Sequence, residues 1–191
     1  MPIDMNPNGG RVGLRYTEGC ALVGTILAAV FLRPRFWEWD RTGTRRATFC
    51  SVAFAVAGMA IAPFIITLSF INISAPAALD EIGMKMSEIL LLSILNTSFL
   101  AALIFSLSPF IGPTSAGVTA LLCWFSTGIL NNLVPPSMNY TPTIAYRLPL
   151  PDQWPADRWW YPVVLGFVAI VTHAVTRGST SFAQRTFVRD G

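Results

Sequence analysis

Long apolar runs separated by short polar connections organise this chain. A polar, Gly/Pro/Asn-rich tail over 1–16 gives way to TEGCALVGTILAAVFL at 17–32, and further apolar runs occupy 48–73, 88–108, 114–134 and 159–176. A bilayer-spanning helix needs about 20 mostly apolar residues, so the pattern predicts an all-α, polytopic membrane protein of about five transmembrane helices. The whole of 1–191 reads as one transmembrane domain. The first run is short enough to be a re-entrant or interfacial segment. Inside the second stands Pro63, which predicts a kink there, because proline removes one backbone hydrogen bond and frees the carbonyl near Met59. The third is expected to stop at Ser108, since SPFIGPTSAG holds two prolines and two glycines and suits a tight connection better than continuing helix. Pro135 and Pro136 stop the fourth. The segment 135–158 carries six prolines (135, 136, 142, 149, 151 and 155), which excludes long regular helix and predicts a folded-back loop anchored by Tyr140 and Trp154.

Composition strengthens this reading through its distribution. Only 12% of the 191 residues are charged, about half the usual share for soluble domains. Between Glu88 and Arg147 there is no Asp, Glu, Lys or Arg at all, a gap long enough for two spans. The 1–16 tail lacks the apolar core and clean small-residue cleavage site of a signal peptide and reads as a tail leading into the first helix. The expected location is a bacterial cytoplasmic (inner) membrane, with multiple passes.

Arginine placement orients the spans. The 33–46 connection has Arg33, Arg35, Arg41, Arg45 and Arg46 against Glu38 and Asp40, a net of +3. The basic tail 177–191 has Arg177, Arg185 and Arg189 against Asp190, a net of +2. By contrast, Lys85 against Asp80 and Glu81 leaves 72–87 at −1, and the 135–158 loop balances to zero. Positive loops stay in the cytoplasm, so 33–46 and the C-terminus are expected inside, and the N-terminus and 135–158 outside. Arg11 and Arg15 run against that assignment. Trp154, Trp159, Trp160 and Tyr161 cluster where the last span enters the outer interface, the depth that amphipathic rings prefer.

Candidate chemistry is sparse. A lone histidine, His173, excludes a bis-histidine haem within the chain and is expected at the cytoplasmic interface. Cys20, Cys50 and Cys123 are scattered and odd in number; they form no metal-ligand or disulfide pattern and are expected to be buried and unreactive. Glu88 is expected to be solvated at the outer end of its span. Asn96, Asn131 and Asn132 are expected to bond across helices. There is no GxxxxGK[ST], HExxH, GxSxG or nucleic-acid module. No catalytic residue, cofactor, metal or nucleic acid is expected, and the basic surplus is topological. Scarce charge inside the spans and the lack of an internal repeat weigh against an autonomous ion-coupled pump.

The polar stretch FWEWDRTGTRRATF at 36–49 remains to be placed. Trp37 and Trp39 suit a cytoplasmic aromatic belt, and the arginines suit anionic membrane lipid. Glu38 and Asp40 oppose that attraction, however, and acids interleaved with Trp37, Trp39 and Arg41 suit a protein partner, because aromatics and arginine concentrate at binding hot spots. Three segments resemble the permease subunit of type-two ABC exporters, especially short actinobacterial ones encoded apart from their ATPase. LRPRFWEWDRTGTRR lies where such permeases carry a basic cytoplasmic loop. LNTSFLAALIFSLSPFIGPTSAGVTALLCWF is similar to their paired fourth and fifth helices, and LPLPDQWPADRWWYPVVLGFVAIVTHAVTRG to their closing pattern. The resemblance implies that the 33–46 loop couples the chain to a soluble ATPase subunit and that other membrane subunits are partners. Five spans instead of six implies that a partner permease would complete the path. The alternative, with which the composition is also compatible, is a cofactor-free accessory subunit of a photosynthetic or respiratory membrane complex.

Overall fold

The computed structural model describes residues 16–31, 45–71, 86–133 and 159–178, and side chains over 17–31, 45–71, 90–127 and 159–178. Five α-helices form this part: α1 Tyr16–Phe31, α2 Arg45–Ile71, α3 Met86–Ile111, α4 Pro113–Leu133 and α5 Trp160–Thr176. The fold is all-α, and each helix coincides with one apolar run. Two of them, α2 and the Leu90–Ile111 stretch of α3, are long and apolar enough to cross a membrane. At 1.5 Å per residue they reach about 40 and 33 Å, against a hydrocarbon thickness of about 30 Å. The shorter apolar helices α1 and α5 reach about 24 and 26 Å.

α3 is the axis of the bundle. It packs against all four other helices, while α1 also meets α2 and α4, and α5 also meets α2. The inward face of α2 is Ala47, Ser51, Ala55, Gly58, Ala62 and Ile66, a stripe at three- and four-residue spacing made almost wholly of small residues. Its outward face carries Phe49, Val56, Phe64, Leu68 and Ile71. α5 repeats the arrangement, with Ala169, His173 and Thr176 inward and Val163, Val164, Phe167, Val168, Val171 and Val175 outward. In α1, Glu18 and Thr25 are buried while Val23, Leu27 and Phe31 are exposed. On α1, α2 and α5 small and polar side chains thus dominate the inward face and large apolar ones the outward face, while α3 and α4 supply most of the large buried side chains, among them Leu92, Leu100, Ile104, Phe105 and Trp124.

Small inward residues let a few large ones interlock. Phe105 of α3 is fully buried and its ring lies directly over Gly58, where any Cβ would overlap ring atoms. Leu22, Leu100, Phe105 and Trp124 belong to one core cluster joining α1, α3 and α4 with α2 and α5. A second cluster joins Ala21, Ala62, Ile66 and Ala101.

The turn from α3 to α4 corrects the sequence expectation. Helix does not stop at Ser108; it continues through Pro109 to Ile111, and the single residue Gly112 makes the connection. Proline at 109 has no amide hydrogen for the carbonyl of Phe105. The Ser108 hydroxyl donates to that carbonyl at 3.3 Å, a weak replacement for the bond that the proline removes. Gly112 then adopts φ +85°, its amide donating to Ser108 O at 3.1 Å and its carbonyl accepting from Ala116 N at 3.0 Å. Only glycine reaches that φ without steric cost. At Pro63, α2 continues as helix on both sides, and Thr67 Oγ1 donates to the carbonyl of Pro63 at 2.8 Å.

Contacts between helices set their directions. Gly19 lies beside Trp124 and Gly117 beside Ile26, so α1 and α4 are antiparallel. Ser51, near the start of α2, donates to the carbonyl of His173, near the end of α5. Ser108 and Pro113, flanking the α3–α4 turn, line one cavity with Ser51, His173 and Arg177. The ends of α1, α3 and α5 thus gather with the starts of α2 and α4. Arg45, Arg46 and Arg177 share this basic end, and Trp159 and Trp160 stand at the opposite one.

Candidate functional site

Buried polar groups concentrate at two levels of the bundle, near the basic end and toward the opposite end. At the basic end α2, α3, α4 and α5 meet around a cavity of about 10 Å³, lined by Ser51, Phe54, Ser108, Pro113, His173, Arg177 and Gly178, room for about one water. His173 is only 2% exposed. Its ring packs against Phe105, with centroids 5.9 Å apart, and Nδ1 lies 3.0 Å from the carbonyl of Ala169. A carbonyl can only accept, so Nδ1 carries the hydrogen and, in the neutral ring, Nε2 carries the lone pair. Ser51 is also buried, and its hydroxyl donates to the backbone carbonyl of His173 at 3.3 Å. Because the hydroxyl serves the carbonyl and not the imidazole, the pair is not arranged as a nucleophile with its base. α5 ends here with Arg177 at φ +52° and Gly178 at φ +64°, which folds the chain back so that Gly178 abuts Ser51. The arrangement offers a guanidinium, an imidazole and two hydroxyls to an oxygen-sized group.

The second level lies toward the opposite end. Glu18 stands one helical turn before Leu22 and Asn96 one turn before Leu100, and both leucines belong to the main core cluster with Trp124. Each therefore lies one turn beyond a core leucine, toward the end opposite the arginines. Glu18 is 4% exposed, and Ser93, Asn96 and Thr97 are fully buried. Thr97 donates to the carbonyls of Ser93 and Ile94. Both side-chain polar atoms of Asn96 are buried without a hydrogen-bond partner, where a buried unmade bond costs on the order of 1–3 kcal/mol.

The sequence-predicted residues divide accordingly. Trp37, Glu38, Trp39, Asp40 and Arg41, expected to contact a partner, lie outside the described residues, as do Trp154 and the 135–158 loop; so do the side chains of Glu88, Asn131 and Asn132. Trp159 and Trp160 are exposed at the start of α5, and Tyr161 stacks on Trp160 with ring centroids 3.9 Å apart.

His173 lies near the basic end with its side chain buried inside the bundle. Two expectations are corrected. Asn96 makes no bond across helices. Cys20 and Cys50 are exposed and Cys123 is half-exposed, because an apolar thiol is as suited to an outward apolar face as the valines and phenylalanines beside it. The signal for His173 was present in the spacing of Ala169, His173 and Thr176, a small and polar stripe opposite a valine-rich face. Among the described residues no group of three or more His, Cys, Asp or Glu is placed to hold a metal ion. Comparison with protein-family models, with curated proteins and with solved structures found no match for this chain.

Proposed function

We propose that this chain is a five-span membrane subunit of a larger assembly, an ABC-type export complex, with no catalytic groups of its own. The supporting observation is the inverted surface. The four helices around α3 are faced with large exposed apolar residues, from Val23, Leu27 and Phe31 through Phe49, Phe64, Val118, Leu122 and Phe125 to Val163 and Phe167. In water, apolar patches of that extent drive association. In lipid they cost nothing, and helices then associate through small residues that allow close approach, as along the inward stripe of α2. The short helices α1 and α5 fit a bilayer by local thinning and by snorkelling of flanking residues, Trp159 and Trp160 at one end of α5 and Arg177 at the other.

The basic end is the cytoplasmic one in this reading, since Arg45, Arg46 and Arg177 share it. The 33–46 loop, bounded by Phe31 and Arg45, then projects into the cytoplasm, where an ATPase subunit would bind Trp37, Glu38, Trp39, Asp40 and Arg41. A partner permease completes the path, with lipid and other membrane subunits sharing the outward faces. One observation favours a second reading, an accessory subunit of an energy-transducing complex: Leu22, Leu100, Phe105 and Trp124 close the centre of the bundle.

The test is copurification. Changing Trp37, Glu38, Asp40 and Arg41 to Ala, with Arg45 and Arg46 kept, should preserve insertion and strip a soluble ATPase from the tagged protein. Undiminished recovery of every partner would reduce the loop to a lipid anchor. Recovery of a pigmented or haem-bearing assembly, without an ATPase, would select the second reading.

A further inference from the structure

The cavity at the basic end is too polar to stay empty, since only apolar cavities of this size remain dry. Its chemistry selects the sign of what enters. Arg177 supplies a permanent positive charge, and Ser51 and Ser108 supply hydroxyls; among the described residues no carboxylate lines it. Exposed Arg45 and Arg46 add positive charge at the same end. Both hydroxyls are only loosely committed. Their bonds to backbone carbonyls measure 3.3 Å, long against the usual 2.5–3.0 Å for O–H···O, so turning them toward an anionic oxygen sacrifices little. The dimensions select the shape, because about 10 Å³ admits one oxygen and not a whole oxyanion. The buried hydroxyls lie deep while Arg177 is half-exposed.

We propose that this cavity is a phosphate-binding site for an anionic lipid, one phosphate oxygen entering between the Ser51 and Ser108 hydroxyls while Arg177 takes the outer oxygens. The guanidinium suits that role because its planar fork matches two phosphate oxygens at once. The assignment depends on the basic end lying at a membrane surface, as proposed above. Free phosphate carries the same chemistry, and lipid is the favoured source because the site opens where headgroups would lie.

Native mass spectrometry of the full-length protein, released from nanodiscs of mixed phosphatidylglycerol and phosphatidylcholine, tests the site. Three variants separate the fork, the cavity and the surrounding charge. Arg177→Gln removes the fork, Ser51→Thr adds a methyl group to the oxygen-sized space while keeping a hydroxyl, and Arg46→Gln removes an equal charge outside the cavity. Retained phosphatidylglycerol should fall roughly tenfold in Arg177→Gln, the scale of one charge-assisted hydrogen bond. It should fall also in Ser51→Thr and hardly at all in Arg46→Gln, with helicity unchanged in each. Equal losses in Arg177→Gln and Arg46→Gln would mean diffuse attraction and overturn the site. So would the absence of any preference for phosphatidylglycerol, which leaves a bound water as the occupant. Displacement of the lipid by inorganic phosphate, dependent on Arg177, supports the site with free phosphate as a second source. Carbonate extraction of the wild-type protein without detergent separately identifies failure of the membrane reading itself.

Discussion

Replacing Gly58 with Ala tests whether the Phe105 contact governs how α2 meets α3. In an isolated helix the change is favourable by about 1 kcal/mol, because alanine loses less backbone freedom. In this bundle the new methyl group would overlap the Phe105 ring. The ring has little room to yield. It is fully buried, with Phe54 edge-on at 5.6 Å and 70° and His173 tilted at 5.9 Å. Overpacking a filled site costs about 1–3 kcal/mol, and displacing the ring weakens two ring contacts that contribute about 0.5–1.5 kcal/mol each. These losses exceed the propensity gain, so Gly58→Ala should lose about 1–3 kcal/mol. Unfolding by SDS in mixed micelles, followed by circular dichroism, measures it. Adding Phe105→Leu should recover part of the loss, with a coupling of about 1–2 kcal/mol between the two positions. A Gly58→Ala protein of equal stability, or one more stable by about 1 kcal/mol, would show that helix propensity outweighs packing here and that Phe105 does not rest on Gly58.

Two further outcomes follow from polar and proline positions inside the helices. Asn96→Leu removes two buried groups without hydrogen-bond partners and should raise stability in the same titration by about 1–3 kcal/mol; a loss instead would mean that something bound within the bundle holds the amide. Pro63→Ala restores the amide that pairs with the carbonyl of Met59, so insertion should persist while spin labels at Phe49 and Leu68, both on the exposed face of α2, move apart as the helix straightens. An unchanged label distance would mean that α2 is already straight through Pro63.

Much of the helical framework was legible in the sequence because apolar runs of membrane length leave few alternatives to helix. The limits of α1, α2, α4 and α5 fall within about three residues of those runs, as boundaries usually do. The end of α3 was not legible, because composition marks SPFIGP as a break, whereas the helix runs on through Pro109 to Ile111 and turns only at Gly112. The site was less legible still. Judged by the soluble rule that large apolar residues turn inward, the polar residues of α5 belong outside. In an inverted bundle the stripe of Ala169, His173 and Thr176 is the buried one. Asn96 resisted reading for another reason. Its position within an apolar run shows that it is inside, but whether it finds a partner depends on the lateral spacing of α1, α3 and α4, which no local pattern encodes. The 33–46 loop remains a sequence argument, carried by charge and by Trp37 and Trp39.

The central claim, a membrane bundle whose basic end faces the cytoplasm, is tested most directly by cysteine accessibility in intact cells. In a background with Cys20, Cys50 and Cys123 replaced by Ser, single cysteines are placed as Gly43→Cys, Ala77→Cys, Ala156→Cys and Ser179→Cys, and each is exposed to a membrane-impermeant maleimide before and after lysis. The positive-inside argument predicts labelling of positions 77 and 156 in intact cells, and of positions 43 and 179 only after lysis. Labelling of position 43 in intact cells would invert the orientation, and equal labelling of all four before and after lysis would contradict a membrane-spanning bundle altogether.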